Sequence, residues 1–186
     1  ITSPDWQTRN AAARKQLKQG DTGITALQAA LKNEDPRVRA VALNTLVSVD
    51  KLTPEQAASI LQDKQTGLRE QAVTILPEKL IELTKIAQED PSPAVQAAAL
   101  RRISAKSALP LIFKRLASPD KFMQQAARQG LRNTLSDAEL AEVFSHADPT
   151  VRLGVILLLK DSRSKPSTSL LKQALNDENP QVRFAV

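Results

Sequence analysis

The residue best suited to acid–base chemistry in this 186-residue chain is its only histidine, His146, and the chain has no cysteine. An imidazole can exchange a proton near neutral pH, but a zinc or copper site would need further histidine or cysteine ligands. His146 stands at the predicted end of a helix, where an imidazole faces the helix dipole, and we favour that structural role over catalysis. The sequence also lacks a Gly-x-Ser-x-Gly elbow and a glycine-rich phosphate loop. It therefore predicts no catalytic, metal or cofactor site.

Four arginines share one position, directly after an apolar residue near a predicted helix start. Such a series can hold an anionic partner, or it can bind acidic residues of its own fold. We expect the second use, in which each arginine pairs with an acidic turn or cap residue of its own or the adjacent repeat. These ladder arginines are Arg39, Arg69, Arg152 and Arg183.

A second set of candidates lies late on predicted helices, where basic side chains and the apolar run "VRLGVILLLK" could contact a partner. The basic stripe is interrupted at Asn44, Thr74 and Gln129, so a merely solvated face is the alternative interpretation. The candidate interaction surface consists of Arg14, Arg101, Arg102, Arg132, Leu153 and Leu157.

The elements that must position these residues recur along the chain. Each unit has an apolar anchor residue just after a helix start, a small or apolar residue four positions later and, in five units, an apolar residue eight positions later. Offsets of 0, 4 and 8 share one helical face, so each unit is predicted to bury one stripe. The anchors are Val38, Leu68, Val95, Met123, Val151 and Val182, with spacings of 30, 27, 28, 28 and 31 residues.

Helix start signals recur in the same phase. Good N-cap residues stand three positions before most anchors, often followed by proline, which suits the first helical turn. In the second of the six anchor repeats, whose anchor is Leu68, we expect Thr66 to be the cap. Capping boxes are predicted at Thr53 and Ser136, and further amphipathic helices are predicted between the anchor helices, at 22–32, 54–62, 78–88, 108–117, 137–146 and 167–176.

This pattern resembles the HEAT-repeat family, especially its short form of about 30 residues. The resemblance rests on the phrase Asp-Pro-x-Val-Arg, complete at 35–39 and 148–152 and changed only at the cap in 179–183. Departures include glutamine in place of arginine at Gln96 and Gln124. The fold it implies is all-α, an α-solenoid of stacked antiparallel helix pairs that forms a superhelix.

The resemblance also implies a domain organisation. We expect a single HEAT-repeat domain over 1–186 that is a fragment of a longer chain. Its predicted units are a half unit at 1–19, then 20–49, 50–77, 78–105, 106–133 and 134–162, and a truncated unit at 163–186.

A non-catalytic interaction scaffold or spacer is the function that the resemblance implies. It would bind a protein partner or neighbouring domains through its curved surface and would need no cofactor. The net charge of +6 leaves a nucleic-acid-binding solenoid open as an alternative, and a HEAT-like DNA glycosylase is another. Both would be helped by aromatic residues that stack on bases, yet the chain has no tyrosine, one tryptophan and four phenylalanines.

A narrower resemblance concerns the opening "ITSPDWQTRNAAARKQL" followed by repeats. It is similar to the HEAT segment of bacterial membrane-bound dehydrogenase-type proteins, which implies a periplasmic location. The sequence predicts no membrane span, because it has no apolar run near 18 residues.

Overall fold

The computed structural model describes Ser3, Asp5–Asp161 and Thr168–Val186, and in these residues the chain is helical without any strand. Two short 3₁₀ helices, Glu78–Leu80 and Lys106–Ala108, accompany the α-helices. The α-helices are α1 Trp6–Leu17, α2 Asp21–Ala30, α3 Pro36–Ser48, α4 Pro54–Leu61, α5 Thr66–Ile75, α6 Leu83–Glu89, α7 Pro93–Leu100, α8 Leu109–Leu116, α9 Lys121–Thr134, α10 Asp137–Val143, α11 Pro149–Asp161, α12 Thr168–Leu175 and α13 Pro180–Ala185.

The chain forms two compact units, Ile1–Glu82 and Leu83–Val186. In the first unit, α3 contacts both α1 and α5, while α2 and α4 pack beside them. In the second unit, α9 contacts α7 and α11, and α11 contacts α13; α6, α8, α10 and α12 each pair with the anchor helix that follows. Each unit is thus a stack of helix pairs, the architecture of an α-solenoid, and the predicted fold class is confirmed. We call the even-numbered helices first helices and the odd-numbered ones second helices.

The predicted stripe of the second helices is buried. All six anchors are at most 4% exposed, as are the five residues eight positions further along. The residue midway between them is alanine or valine and is fully buried in every case from Ala42 to Val155. Small residues at this level let neighbouring helices approach closely and pack to the density of a protein interior.

Two glycines allow close contacts between helices. A Cβ atom on Gly130 of α9 would lie 2.6 Å from the carbonyl oxygen of Leu100 at the end of α7. A Cβ atom on Gly23 of α2 would lie 1.7 Å from the carbonyl oxygen of Gln16 on α1. Only a residue without a side chain allows these backbones to meet.

Most of the predicted helix caps are present. Asp35, Asp120 and Asn179 accept a main-chain N–H of their helices, Asp148 accepts that of Thr150 at 2.8 Å, and both capping boxes form. In the second box, the Lys106 ammonium and the Ser136 N–H lower the pKa of the Glu139 carboxyl to about 2.

One predicted start signal was wrong, and another lacks its side-chain bond. Thr66 is the first residue of α5, so Gln65 occupies the cap position, and it makes no side-chain cap bond. Ser92 stands at the cap of α7 but also makes no side-chain cap bond. The start of α7 rests instead on Pro93 at its first position.

The predicted helix at 78–88 is divided, because Ile81 is extended with φ −146° and ψ 134°. This residue separates the 3₁₀ helix from α6. Extended backbone suits a β-branched residue, and it lets Leu80 and Ile81 both pack against the core of the first unit. The boundary predicted between 162 and 163, and the start of the helix predicted at 167–176, lie outside the described residues.

None of the helices in the described ranges is both long enough and apolar enough to cross a membrane.

The stacked core can be tested by truncating Leu131, which is fully buried on α9. Leu131→Ala should lower the free energy of unfolding by about 2–5 kcal/mol, because it leaves a cavity between packed helices. Urea unfolding followed by helical circular dichroism measures this loss. Leu175→Ala is the control, because Leu175 is 56% exposed, and it should cost less than about 1 kcal/mol. A loss under about 1 kcal/mol for Leu131→Ala would contradict the packing.

Candidate functional site

The residue directly after each anchor makes the same hydrogen bond throughout the described part of the chain. Its side chain reaches back six residues and donates to a main-chain carbonyl in the turn before its helix. Helix α1 makes this bond too, with Thr8 in the anchor position. The bonds run from Arg9 to Ser3 (2.7 Å), Arg39 to Asn33 (2.7 Å), Arg69 to Asp63 (2.7 Å), Gln96 to Asp90 (2.7 Å), Gln124 to Ser118 (2.7 Å), Arg152 to His146 (2.8 Å) and Arg183 to Asp177 (2.6 Å).

The residue that supplies this carbonyl, which we call the turn residue, also fixes the turn with its side chain. A side-chain acceptor takes the main-chain N–H two residues later, as in Asx and Ser/Thr turns. This second bond recurs with Ser3 (3.2 Å), Asn33 (2.9 Å), Asp63 (2.8 Å), Asp90 (2.8 Å), Ser118 (3.2 Å), His146 (3.0 Å) and Asp177 (2.8 Å).

Two ladder arginines also bind the turn residue of the next repeat. Arg39 Nε lies 2.8 Å from Asp63 Oδ2, and Arg39 Nη2 donates to Asp63 Oδ1 at 2.9 Å. Arg152 binds both oxygens of Asp177, at 2.7 and 2.9 Å. The side chains of Arg152 and Asp177 are only 9% and 5% exposed. Each such pair therefore joins one turn to the next through a nearly buried ion pair, and the Arg152 pair is bidentate.

The ion pairs also change the acidity of the turn carboxyls. Burial is the largest single effect on Asp63 and raises its pKa, but the hydrogen bonds from Arg39 and the Gln65 N–H, together with the nearby positive charges, outweigh it, and the pKa of Asp63 is lowered. The Arg152 guanidinium lowers the pKa of Asp177 against the opposing effect of burial. Both carboxylates are therefore charged at neutral pH, as the pairing requires.

The two other ladder arginines keep the shared bond to a turn carbonyl. Arg69 is buried on α5. Arg183 is exposed on α13 and also donates to the carbonyl of Glu178 at 2.9 Å.

Glutamine stands at two of the three positions where the next turn residue has no carboxylate; the third is Arg9, which precedes the turn of Asn33. Gln96 and Gln124 keep the bond to their own turn carbonyl. The turn residues that follow them are Ser118 and His146. A neutral amide suffices there, because an arginine would bring a buried charge without an acidic partner from that turn.

His146 has a structural contact that its predicted placement missed. Helix α10 ends at Val143, so His146 lies in the turn beyond it and not in the helix. Its Nδ1 accepts the N–H of Asp148 at 3.0 Å, and its ring packs on Phe113 with centroids 5.1 Å apart. Because Nδ1 is the acceptor, Nε2 carries the proton of the neutral ring.

The candidate interaction residues differ in their local environments. Arg14 is exposed on α1 in the first unit, whereas the other candidates belong to the second unit. Arg101 is exposed, Arg102 is half-buried, and Arg132 binds Asp137 at 3.0 Å. The two leucines of the set, Leu153 and Leu157, are half-buried on α11.

One surface feature of the second unit includes residues beyond the predicted interaction surface. A groove of about 480 Å³ lies where α9 meets the end of α7 and the later part of α11. Three of its residues share one face of α9 at spacings of three and four, which is the signal that could have indicated it. The groove is lined by Arg101, Gln125, Arg128, Gln129 and Leu158.

A metal site is not indicated by the geometry. Among the residues that the structure describes, no group of three or more histidine, cysteine, aspartate or glutamate side chains is placed to hold a metal ion.

Comparison with known proteins does not assign the chain to a family. No family model matches the chain, and no curated protein sequence matches it. Among solved structures, the chain is similar to the X-ray structure of YibA from Escherichia coli, with 15% identity and a TM-score of 0.47. The alignment covers all of this chain and 75% of that one. The likeness is too low to carry a family assignment.

The ion pair between Arg152 and Asp177 can be tested by substituting the residue types that the chain has at the equivalent positions of another repeat. Arg152→Gln keeps a donor for the His146 carbonyl but leaves the Asp177 carboxylate without its partner. It should lower the free energy of unfolding by about 3–5 kcal/mol, the usual result of breaking a buried pair. Adding Asp177→Ser copies the native combination of Gln96 and Ser118 and should recover at least about 1 kcal/mol. Chemical unfolding of the parent, Arg152→Gln, Asp177→Ser and the double variant gives the coupling free energy between the two residues. Losses that simply add in the double variant would contradict the ion pair.

Proposed function

We propose that this chain is a HEAT-like interaction scaffold without catalytic activity. It holds a protein partner or neighbouring domains on the exposed faces of its second helices. The observation that supports this best is where the recurring polar side chains are used. Ladder and turn residues satisfy turns inside the stack, so the repeated charges serve architecture.

Exposed residues that do not recur are therefore the ones left for recognition. Second-helix positions such as Asn44 on α3 and Gln125 on α9 are exposed and differ from repeat to repeat. Stability in a repeat stack comes from contacts between neighbouring units. Such positions can change without loss of the fold, which suits a scaffold whose partner is set by its surface.

Site-specific photo-crosslinking tests this function. A photoreactive residue is placed at Asn44, at Gln125 or, as a control, at Gln88, which is exposed on a first helix. In cells of the source organism, at least one second-helix position should give a discrete protein adduct, and Gln88 should give none. The partner identified by mass spectrometry should then bind the purified chain saturably in calorimetry.

Nucleic acid is the competing ligand in the same test. The chain should show no saturable binding to labelled duplex or single-stranded DNA at about 50 mM salt, and no release of bases from alkylated DNA. Tight binding that falls steeply with salt would overturn the scaffold proposal in favour of a nucleic-acid solenoid. Base release above a protein-free control would overturn it in favour of a glycosylase, and the absence of any adduct at both second-helix positions would also contradict it.

A further inference from the structure

The groove of the second unit, defined above, has walls that are held in place by main-chain and side-chain contacts. The absence of a side chain at Gly130 brings α9 against the carbonyl of Leu100, which places the adjoining Arg101 beside α9. The Asn133 amide donates to the Arg101 carbonyl at 2.8 Å, and the Gln129 amide donates to Asn133 Oδ1 at 2.9 Å. The groove is therefore largely formed before any ligand binds, which lowers the cost of ordering on binding.

The charge of the groove is positive and uncompensated. Arg101 and Arg128 both line it, and no carboxylate does. Within the described residues, neither guanidinium makes a side-chain hydrogen bond or ion pair. Arg132 and Arg152 elsewhere in the second unit differ, because both bind aspartates. Two free guanidiniums in one groove attract an anion that can take two parallel hydrogen bonds.

The other lining residues narrow the chemistry of the ligand. Gln125 and Gln129 each carry an amide, which can both donate to and accept from a peptide main chain. Leu158, which is 6% exposed, contributes a small apolar area to the groove floor. Among the residues that line the groove, none is aromatic and able to stack on bases. A volume of about 480 Å³ is in the range that holds a short ligand segment.

We propose that this groove binds an extended acidic peptide segment of a protein partner. Arg101 and Arg128 hold its carboxylates, the two glutamines align its main chain, and Leu158 contacts an apolar side chain between the acids. The inference rests on the proposed scaffold function and names the class of partner that this groove accepts.

Fluorescence anisotropy with defined peptides tests the groove. The probes are a labelled 12-residue peptide of alternating glutamate and leucine pairs, the same peptide with glutamine for glutamate, and a single-stranded 12-mer DNA. With the 186-residue chain, the acidic peptide should bind saturably at low salt, and the glutamine peptide should bind at least tenfold more weakly.

Matched charge variants separate the groove from net charge. Arg101→Glu/Arg128→Glu should weaken acidic-peptide binding at least tenfold. Lys85→Glu/Lys114→Glu changes the net charge by the same amount at exposed residues of α6 and α8 and should weaken it less than threefold. Arg101→Gln/Arg128→Gln, a milder change, should also weaken binding, and the helical circular dichroism of all variants should match the parent.

Three results would overturn the proposal. These are equal losses from the two glutamate variants, no saturable peptide binding, or DNA binding that is tighter than peptide binding and depends on Arg101 and Arg128. Failure here would leave the scaffold function standing if photo-crosslinking still captures a partner at Asn44. Loss of every adduct would remove the scaffold function itself.

Discussion

The structure depends on one recurring hydrogen bond. In each repeat, the side chain of the residue after the anchor donates to the main-chain carbonyl six residues earlier. Turns between stacked helices leave carbonyl groups that no helix satisfies, and such groups are costly when they are removed from water. An arginine or glutamine at this position supplies the donor from the second helix itself. The turn residue completes the arrangement by accepting the N–H at the helix start. Turn, cap and helix are therefore held as one piece in every repeat.

Arg39 and Arg152 extend this bond from one repeat to the next. Arg152 satisfies its own turn and reaches the carboxylate of Asp177, whereas Gln124 stops at its own turn, next to a repeat that presents His146. The chain thus contains both strong and neutral junctions, built on the same backbone geometry. In the second unit, the neutral junctions are those of Gln96 on α7 and Gln124 on α9. The groove of the second unit lies beside the same two helices. Its arginines, Arg101 and Arg128, are therefore surface residues and take no part in the ladder.

The helical repeat could be predicted because it is encoded by periodic residue types: buried anchors, small midpoints and cap residues. The turn residues could not be recognised in this way, since serine, asparagine, aspartate and histidine all perform one task with different acceptor atoms. For that reason the sequence placed His146 at the end of a helix, whereas it is a turn residue that accepts the N–H of Asp148. The groove was missed because it arises from the contact of Gly130 with Leu100, a distance that no single helix encodes. Arg101 was selected, but Arg128 beside it was not.

The most direct test compares two neighbouring glutamines on α9. Gln124 donates to the carbonyl of Ser118 at 2.7 Å, whereas Gln125 is exposed and has no such bond. Methionine preserves the length of either side chain but removes the donor. In urea unfolding, Gln124→Met should lower the free energy of unfolding by about 1–3 kcal/mol, because the turn carbonyl loses its donor. Gln125→Met should stay within about 0.5 kcal/mol of the parent, and equal effects of the two substitutions would contradict the account.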